Sequence, residues 1–327
     1  MNDTTSIVIR DRQSNVLLKE IKGSIFFKLK KDNNYYINVN VFDFNKNTQY
    51  IQSLFANKSN IENRQNFLMK NYQDEVFYSN YFKPNEIVYI TSSRNQEKLF
   101  KIDYFKSEFQ LAKPPSSIEK MEQFAYKPDS SFSVYEKQSK IEIQLPAKGF
   151  FHLETNFQKH DGVTLFVYES SFPKIKDATQ MILSTRYIMT KREFDNAMNA
   201  SDKKTAIDNF WTEIGGSNER ALALLKKYYG RVQEANKLFT SYVEGWKTDR
   251  GMVYVIFGAP NNVLKTKNSE TWNYGEVGNT NYISFSFNKV SNPFTDNDFY
   301  LERNEVFKLP WYQAVDSWRQ GRIYLDN

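Results

Sequence analysis

The front of the chain alternates apolar and polar residues in steps of two. In "YYINVNVFDF", Ile37, Val39 and Val41 are separated by Asn38 and Asn40, the period of a strand with one wet face. "GSIFFKLKK" repeats the pattern with Ile25, Phe27 and Leu29, and "NEIVYITSS" and "KLFKIDYF" predict two further strands. Among them, "NIENRQNFLMKNY" reads as a helical interruption. Short strands at this spacing predict a β-sandwich-like, immunoglobulin-type domain over residues 1–112. Pro114-Pro115 blocks helix and ladder alike, so residues 113–130 read as a linker. Four more strands, in "SFSVYEK", "KIEIQLP", "GFFHLETNF" and "GVTLFVYES", predict a second β-rich segment over residues 131–174.

After Phe172-Pro173 the period lengthens to 3.6. Thr190, three residues before Glu193, forms a capping box that opens a helix through Ala200. "KKTAIDNFWTEIGG" predicts a second helix stopped by Gly215-Gly216, and Ser217 caps a third and longest one. Along that helix Ala221, Leu225, Tyr228, Val232, Ala235, Phe239 and Tyr242 make one apolar stripe, the mark of core packing. Gly245 is then expected as its left-handed cap, with Trp246 folded back near Phe239 and Tyr242. Thr248 and Asp249 are expected to fix a tight turn through their side-chain oxygens, and Gly251 to release the chain into "MVYVIF". That run is apolar on both faces, which predicts a central strand paired with "ETWNYG", "YISFSFNKV" and "DFYLER". A last helix, with Pro310 in its first turn and Gly321 past its end, places Trp311, Val315 and Trp318 on one face. The fold class expected is α+β multidomain: sandwich material, a helical segment, then a small antiparallel-sheet domain within residues 175–327.

Composition narrows the chemistry. The 327 residues include no cysteine, which excludes disulfides and thiolate chemistry, and only two histidines, His152 and His160. No metal-ligand spacing, phosphate-binding loop or nucleophile elbow occurs, so no cofactor or metal is expected. The net charge of +6 is spread with interleaved signs, which argues against nucleic acid as a partner. No apolar run is long enough to cross a membrane. Carboxylate dyads assemble from distant positions; Asp249, Glu244 and Glu234 are the first candidates for one. Asp249 and Arg250, adjacent and charged at a turn between buried elements, are read chiefly as bonding the backbone ends of their neighbours.

The run "GWKTDRGMVYVIFGAP" resembles the signature of the GWxTD-domain proteins of bacterial envelopes, prominent in the Bacteroidetes. Phe210-Trp211, "YYGRVQEAN" from Tyr228, "ETWNY" from Glu270 and "WYQAVDSWRQG" from Trp311 extend the likeness over residues 175–327. The resemblance implies a periplasmic or outer-membrane location and no established catalytic activity. Met1–Thr4 do not begin an export-signal pattern, so the location rests on the resemblance. It makes Gly245, Trp246, Thr248, Asp249, Arg250 and Gly251 the motif residues. Trp311, Tyr312, Trp318 and Arg319 of the last helix are the candidates for contact with other envelope proteins. The expected function is a non-catalytic accessory subunit of an outer-membrane assembly, such as secretion or outer-membrane biogenesis machinery. An envelope hydrolase or glycan-processing enzyme using acidic residues is the alternative, and a carbohydrate- or peptide-binding module the third.

Overall fold

The computed structural model describes residues 34–44, 48–57, 67–92, 98–106, 111–118, 127–156, 161–276, 278–279 and 282–323. The strand expected in "GSIFFKLKK" and His160 lie outside these residues. A hairpin comes first: β1 (Asn34–Asp43) pairs antiparallel with β2 (Thr48–Asn57), apart from the larger sheets. Residues 67–70, expected within a helix, instead form strand β3 (Phe67–Lys70), because Phe67 and Met69 pack into the sandwich core.

The sandwich continues with β4 (Tyr81–Phe82), β5 (Ile87–Ser92), β6 (Leu99–Phe105), β7 (Ser130–Tyr135), β8 (Lys140–Gln144), β9 (Gly149–Asn156) and β10 (Asp161–Val167). One sheet runs β3-β5-β8 and the other β4-β10-β9-β6-β7. β4 joins β10 in parallel while β3 lies in the opposite sheet, so the two strands that open the sandwich belong to different sheets, an arrangement of immunoglobulin type. The period-two residues explain why the sheets close. Val88 and Ile90, Phe100 and Ile102, Ile141 and Ile143, Phe151 and Leu153, and Val163 and Leu165 all face one core. β6 pairs with both β7 and β9, and β5 with β8. Strands from either side of residues 113–130 therefore share sheets, and the boundary expected there does not separate two β units. The prolines prevent strand or helix at that point without ending the domain.

The second unit begins with α1 (Ala178–Ser184), α2 (Lys191–Asn199), α3 (Lys203–Gly215) and α4 (Asn218–Phe239). The Thr190–Glu193 capping box forms, Ser217 accepts from the Arg220 N–H, and Gly216 takes the left-handed conformation (φ 68°) that ends α3. An antiparallel sheet follows α4 in the order β11 (Asn262–Lys265), β12 (Ser269–Tyr274), β13 (Ile283–Lys289), β14 (Phe299–Leu301). Its inward face carries Trp272, Tyr274, Ile283, Phe285, Phe287 and Leu301.

"MVYVIF" is the main correction. It is not a strand but the body of helix α5 (Asp249–Phe257), wedged among α4, the sheet and α6 (Lys308–Arg319). A continuous apolar run has no period to distinguish a buried strand from a buried helix, and its valines and isoleucine favour the wrong one. What decides is tertiary: Phe257 packs on Tyr274, Phe285 and Trp311 at ring separations of 5.6, 5.1 and 6.2 Å.

Candidate functional site: the buried motif around α5

α4 ends at Phe239, well before Gly245, which opens a short 3-10 turn over Gly245–Lys247. Gly245 is therefore not a left-handed cap. A Cβ there would lie 1.9 Å from the Ala235 carbonyl oxygen, and one on Gly251 would lie 1.8 Å from the Gly245 oxygen. Three backbones cross in contact: α4, the turn and the first turn of α5. Only glycine permits that approach. Trp246 is tied back to α4 through its backbone N–H, which the Asn236 side-chain oxygen accepts at 3.3 Å. The Tyr187 hydroxyl donates to the Trp246 carbonyl (3.1 Å), and its ring lies edge-on to the indole.

Thr248 is the N-cap of α5, its hydroxyl accepting the Gly251 N–H at 3.1 Å, three residues on rather than two. Asp249, one residue inside the helix, reaches across to β14. Its carboxylate accepts the Leu301 N–H (2.7 Å) and a two-pronged contact from Arg303 (3.0 and 2.5 Å). Arg250 is as deeply buried. It donates to the carbonyl and side-chain oxygens of Asn297 (3.0 and 2.5 Å), pairs with Glu270 at 3.3 Å, and lies 4.0 Å over the Phe299 ring. Glu270 is the one charged residue on the inward face of β12, and Arg250 is the reason it is there.

Burial lowers the affinity of the Arg250 guanidinium for its proton, opposed by Glu270. Burial alone would raise Glu270, but Arg250 and Lys265 outweigh it and hold the carboxyl below its ordinary range. Asp298, just before β14, goes the other way. Burial, with Asp249 nearby, pushes it up to about 6 against the hydrogen bond from Asn292 and the charge of Arg250.

The far end of α5 is as closely served. Its last carbonyls have no partners within the helix. Arg231, on the buried side of α4, donates to the carbonyls of Val255 (3.3 Å) and Ile256 (3.0 Å). The Trp318 indole donates to Ile256 (3.0 Å), and the Tyr274 hydroxyl to the Gly258 carbonyl just beyond (2.9 Å). A cation and two dipoles thus face the negative end of the helix. "YYGRVQEAN", "ETWNY" and "WYQAVDSWRQG", far apart in sequence, each send a side chain to one nine-residue helix. Pattern reasoning missed Arg231, whose only signal is a charge beside the apolar stripe. It also missed Asn236, Asn297, Asp298 and Arg303, which carry no local signal.

Each candidate carboxylate has a partner of its own. Asp249 is engaged by Arg303, Glu244 by Lys247 (2.7 Å), and Glu234 by the Tyr254 hydroxyl (2.7 Å). Among the described residues no cluster of three or more metal-ligating side chains occurs. His152 is buried in the sandwich, its Nδ1 2.9 Å from the Thr164 hydroxyl.

The last helix divides its candidates. Trp318 is 0 % exposed and Trp311 is buried, so neither indole offers a surface to a partner. Their face docks on the end of α5 and on Tyr228 of α4, not chiefly on the sheet, which meets Phe307 instead. Arg319 is held by Glu193 (2.8 and 2.9 Å) and donates to the Ile188 carbonyl. Tyr312 remains, 60 % exposed, and nearby in the chain Val306 (69 %) and Leu309 (66 %) are exposed as well. No helix among the described residues is long and apolar enough to cross a membrane.

No curated protein matches the chain. The family model for the GWxTD domain matches residues 149–320, just over half of the chain, beginning in the sandwich at β9 and ending at the close of α6. By that match the protein belongs to the GWxTD domain family.

Proposed function

We propose that the protein is a non-catalytic component of the bacterial envelope that acts by protein–protein contact, as an accessory subunit of an outer-membrane assembly. Secretion or outer-membrane biogenesis machinery is the kind of assembly meant. One observation carries this reading. The motif side chains are engaged at the start of a buried helix whose far end is held by Arg231, Tyr274 and Trp318, whereas Val306, Leu309 and Tyr312 stand in solvent at intervals of three along the turn into α6. Exposed apolar residues of that size, close together in sequence, gain by being covered, and tyrosine is enriched among residues that dominate interfaces. The resemblance to the GWxTD-domain proteins of bacterial envelopes is what supports that location.

A hydrolase reading draws on one observation, the Asp298 carboxyl raised to about 6, since carboxyls tuned in this way can act as general acids. Its immediate surroundings, Asn292, Arg250 and the base of a loop, favour a structural carboxyl.

The test is capture from native membranes by the wild-type chain and by a Leu309→Glu variant. Loss of a discrete co-purifying protein with an unchanged melting temperature supports contact at this face. Equal capture by both chains removes this face from the account.

A further inference from the structure

Two segments leave the unit in which their flanking strands lie and seal the other. Residues 111–117 belong to the β6–β7 connection of the sandwich yet lie on the α+β unit. Ala112 and Pro115 are buried there, and Leu111 packs against the α+β core. The Ala112 N–H donates to the Lys247 carbonyl (3.0 Å), and the Asn304 N–H donates to the Pro115 carbonyl (3.1 Å). Arg303, the partner of Asp249, donates from the same guanidinium to the Lys113 carbonyl at 3.1 Å. This strap lies directly over the backbone of the motif.

The reciprocal segment is the β13–β14 connection, residues 290–298. It places Phe294, 4 % exposed, on the outer face of the sandwich, edge-on to Phe150 (4.9 Å), Phe105 (5.1 Å) and His152 (5.0 Å). The Asn292 side chain shapes the loop by accepting the N–H groups of Phe294 and Thr295 and donating to Asp298. Asn297 anchors it by donating to the carbonyls of Leu238 and Thr240. The bonds to Asn297 from within α5 come from Arg250.

Strap and plug are thus gripped by adjacent residues of one helical turn, which point about 100° apart and can serve two directions at once. We infer that Asp249 and Arg250 form a two-armed clasp joining the sandwich and the α+β unit into one cooperative body. Asp249 holds the strap through Arg303, and Arg250 holds the plug through Asn297. Each arm opens separately, because Asp249 and Arg250 grip different residues beyond α5: Leu301 and Arg303 for the first, Asn297 and Glu270 for the second. Connecting segments that rest on a packed core through a few buried side chains and polar contacts are the kind that open locally without global unfolding.

Hydrogen exchange on the full chain, read by mass spectrometry, tests this. Asp249→Asn is expected to speed exchange in residues 111–117 at least about tenfold, on the scale of one lost charge-assisted hydrogen bond, and to leave residues 290–298 within about twofold. Arg250→Lys, which keeps the charge and loses the planar fork, is expected to give the reverse pattern. Arg303→Lys and Phe294→Leu address the same two arms and replace either variant should it not fold. Loosening of both segments together in each variant would overturn the clasp. So would a fall in the unfolding midpoint with no segment-specific change, which would leave the pair as supports of α5 alone.

Discussion

Replacing Gly245 by alanine separates two explanations of the motif's first letter. A left-handed cap would lose about 1 kcal/mol to alanine and less to asparagine, which tolerates that backbone region. The structure gives a different reason for glycine. A new Cβ would sit 1.9 Å from the Ala235 oxygen and 2.6 Å from its carbonyl carbon, both backbone atoms of a helix whose buried face forms the core. Ordinary packing requires a separation of well over ~3 Å, so helix and turn must move apart by more than an ångström. That movement strains the Trp246–Asn236 and Thr248–Gly251 hydrogen bonds as well. Overpacking a rigid core costs about 1–3 kcal/mol, and weakening those two hydrogen bonds brings the expected cost to about 3 kcal/mol or more. Guanidinium unfolding of Gly245→Ala and Gly245→Asn against wild type is the assay, read at the midpoint with the slope checked for constancy. Asparagine should be at least as damaging as alanine, since it adds bulk at the same crossing. A loss below about 1 kcal/mol for alanine, or a milder effect for asparagine, would refute the close-approach explanation.

Further outcomes follow from burial and charge. Trp318→Ala, removing a fully buried indole and its bond to Ile256, should cost about 3–5 kcal/mol, whereas Tyr312→Ala should leave the melting temperature nearly unchanged; paired thermal melts decide this. Asp298 holds its proton more tightly folded (about 6) than at its ordinary 3.8, so its contribution is full below 3.8 and lost as pH rises through about 6. Asp298→Asn should therefore be more stable than wild type at pH 7.5, by up to about 3 kcal/mol, with the difference shrinking as the pH falls toward 4 in urea titrations. Glu193 behaves oppositely: Arg319 and Thr190 hold it at about 2 against its ordinary 4.5, so its contribution is present above 4.5 and lost as pH falls toward 2. Because each side chain of that pair is still about a third exposed and screened by solvent, Arg319→Gln should cost about 1 kcal/mol at pH 7, and nearly nothing at pH 2.

What is legible in the sequence is what is local. Thr190 with Glu193, Ser217 and the stripe through Tyr228 and Val232 specify helices by interactions within a few residues, and they form as expected. Period-two strands are legible for the same reason, including Ile283, Phe285 and Phe287 on the inward face of β13. α5 is not legible as a helix, because a run apolar on every side records its burial and not its period. Pro114-Pro115 reads correctly as neither helix nor strand, but no local rule says that such a segment crosses to the other unit. Asp249 and Arg250 can be recognised as bonding neighbouring elements; their partners, Arg303, Asn297 and Glu270, are set by the tertiary fold. Trp318 looks like an interface anchor by residue type, and its burial against Ile256 and Tyr228 shows how little type alone decides.

The central claim is that the motif is buried architecture and that contact with other proteins is made at the turn into α6. A photo-crosslinking amino acid placed at position 309 in cells tests it most directly, with position 222, an exposed leucine of α4, as the comparison. The account predicts a discrete adduct of higher mass from position 309 and none from position 222. An adduct from position 222 with none from position 309 would contradict it.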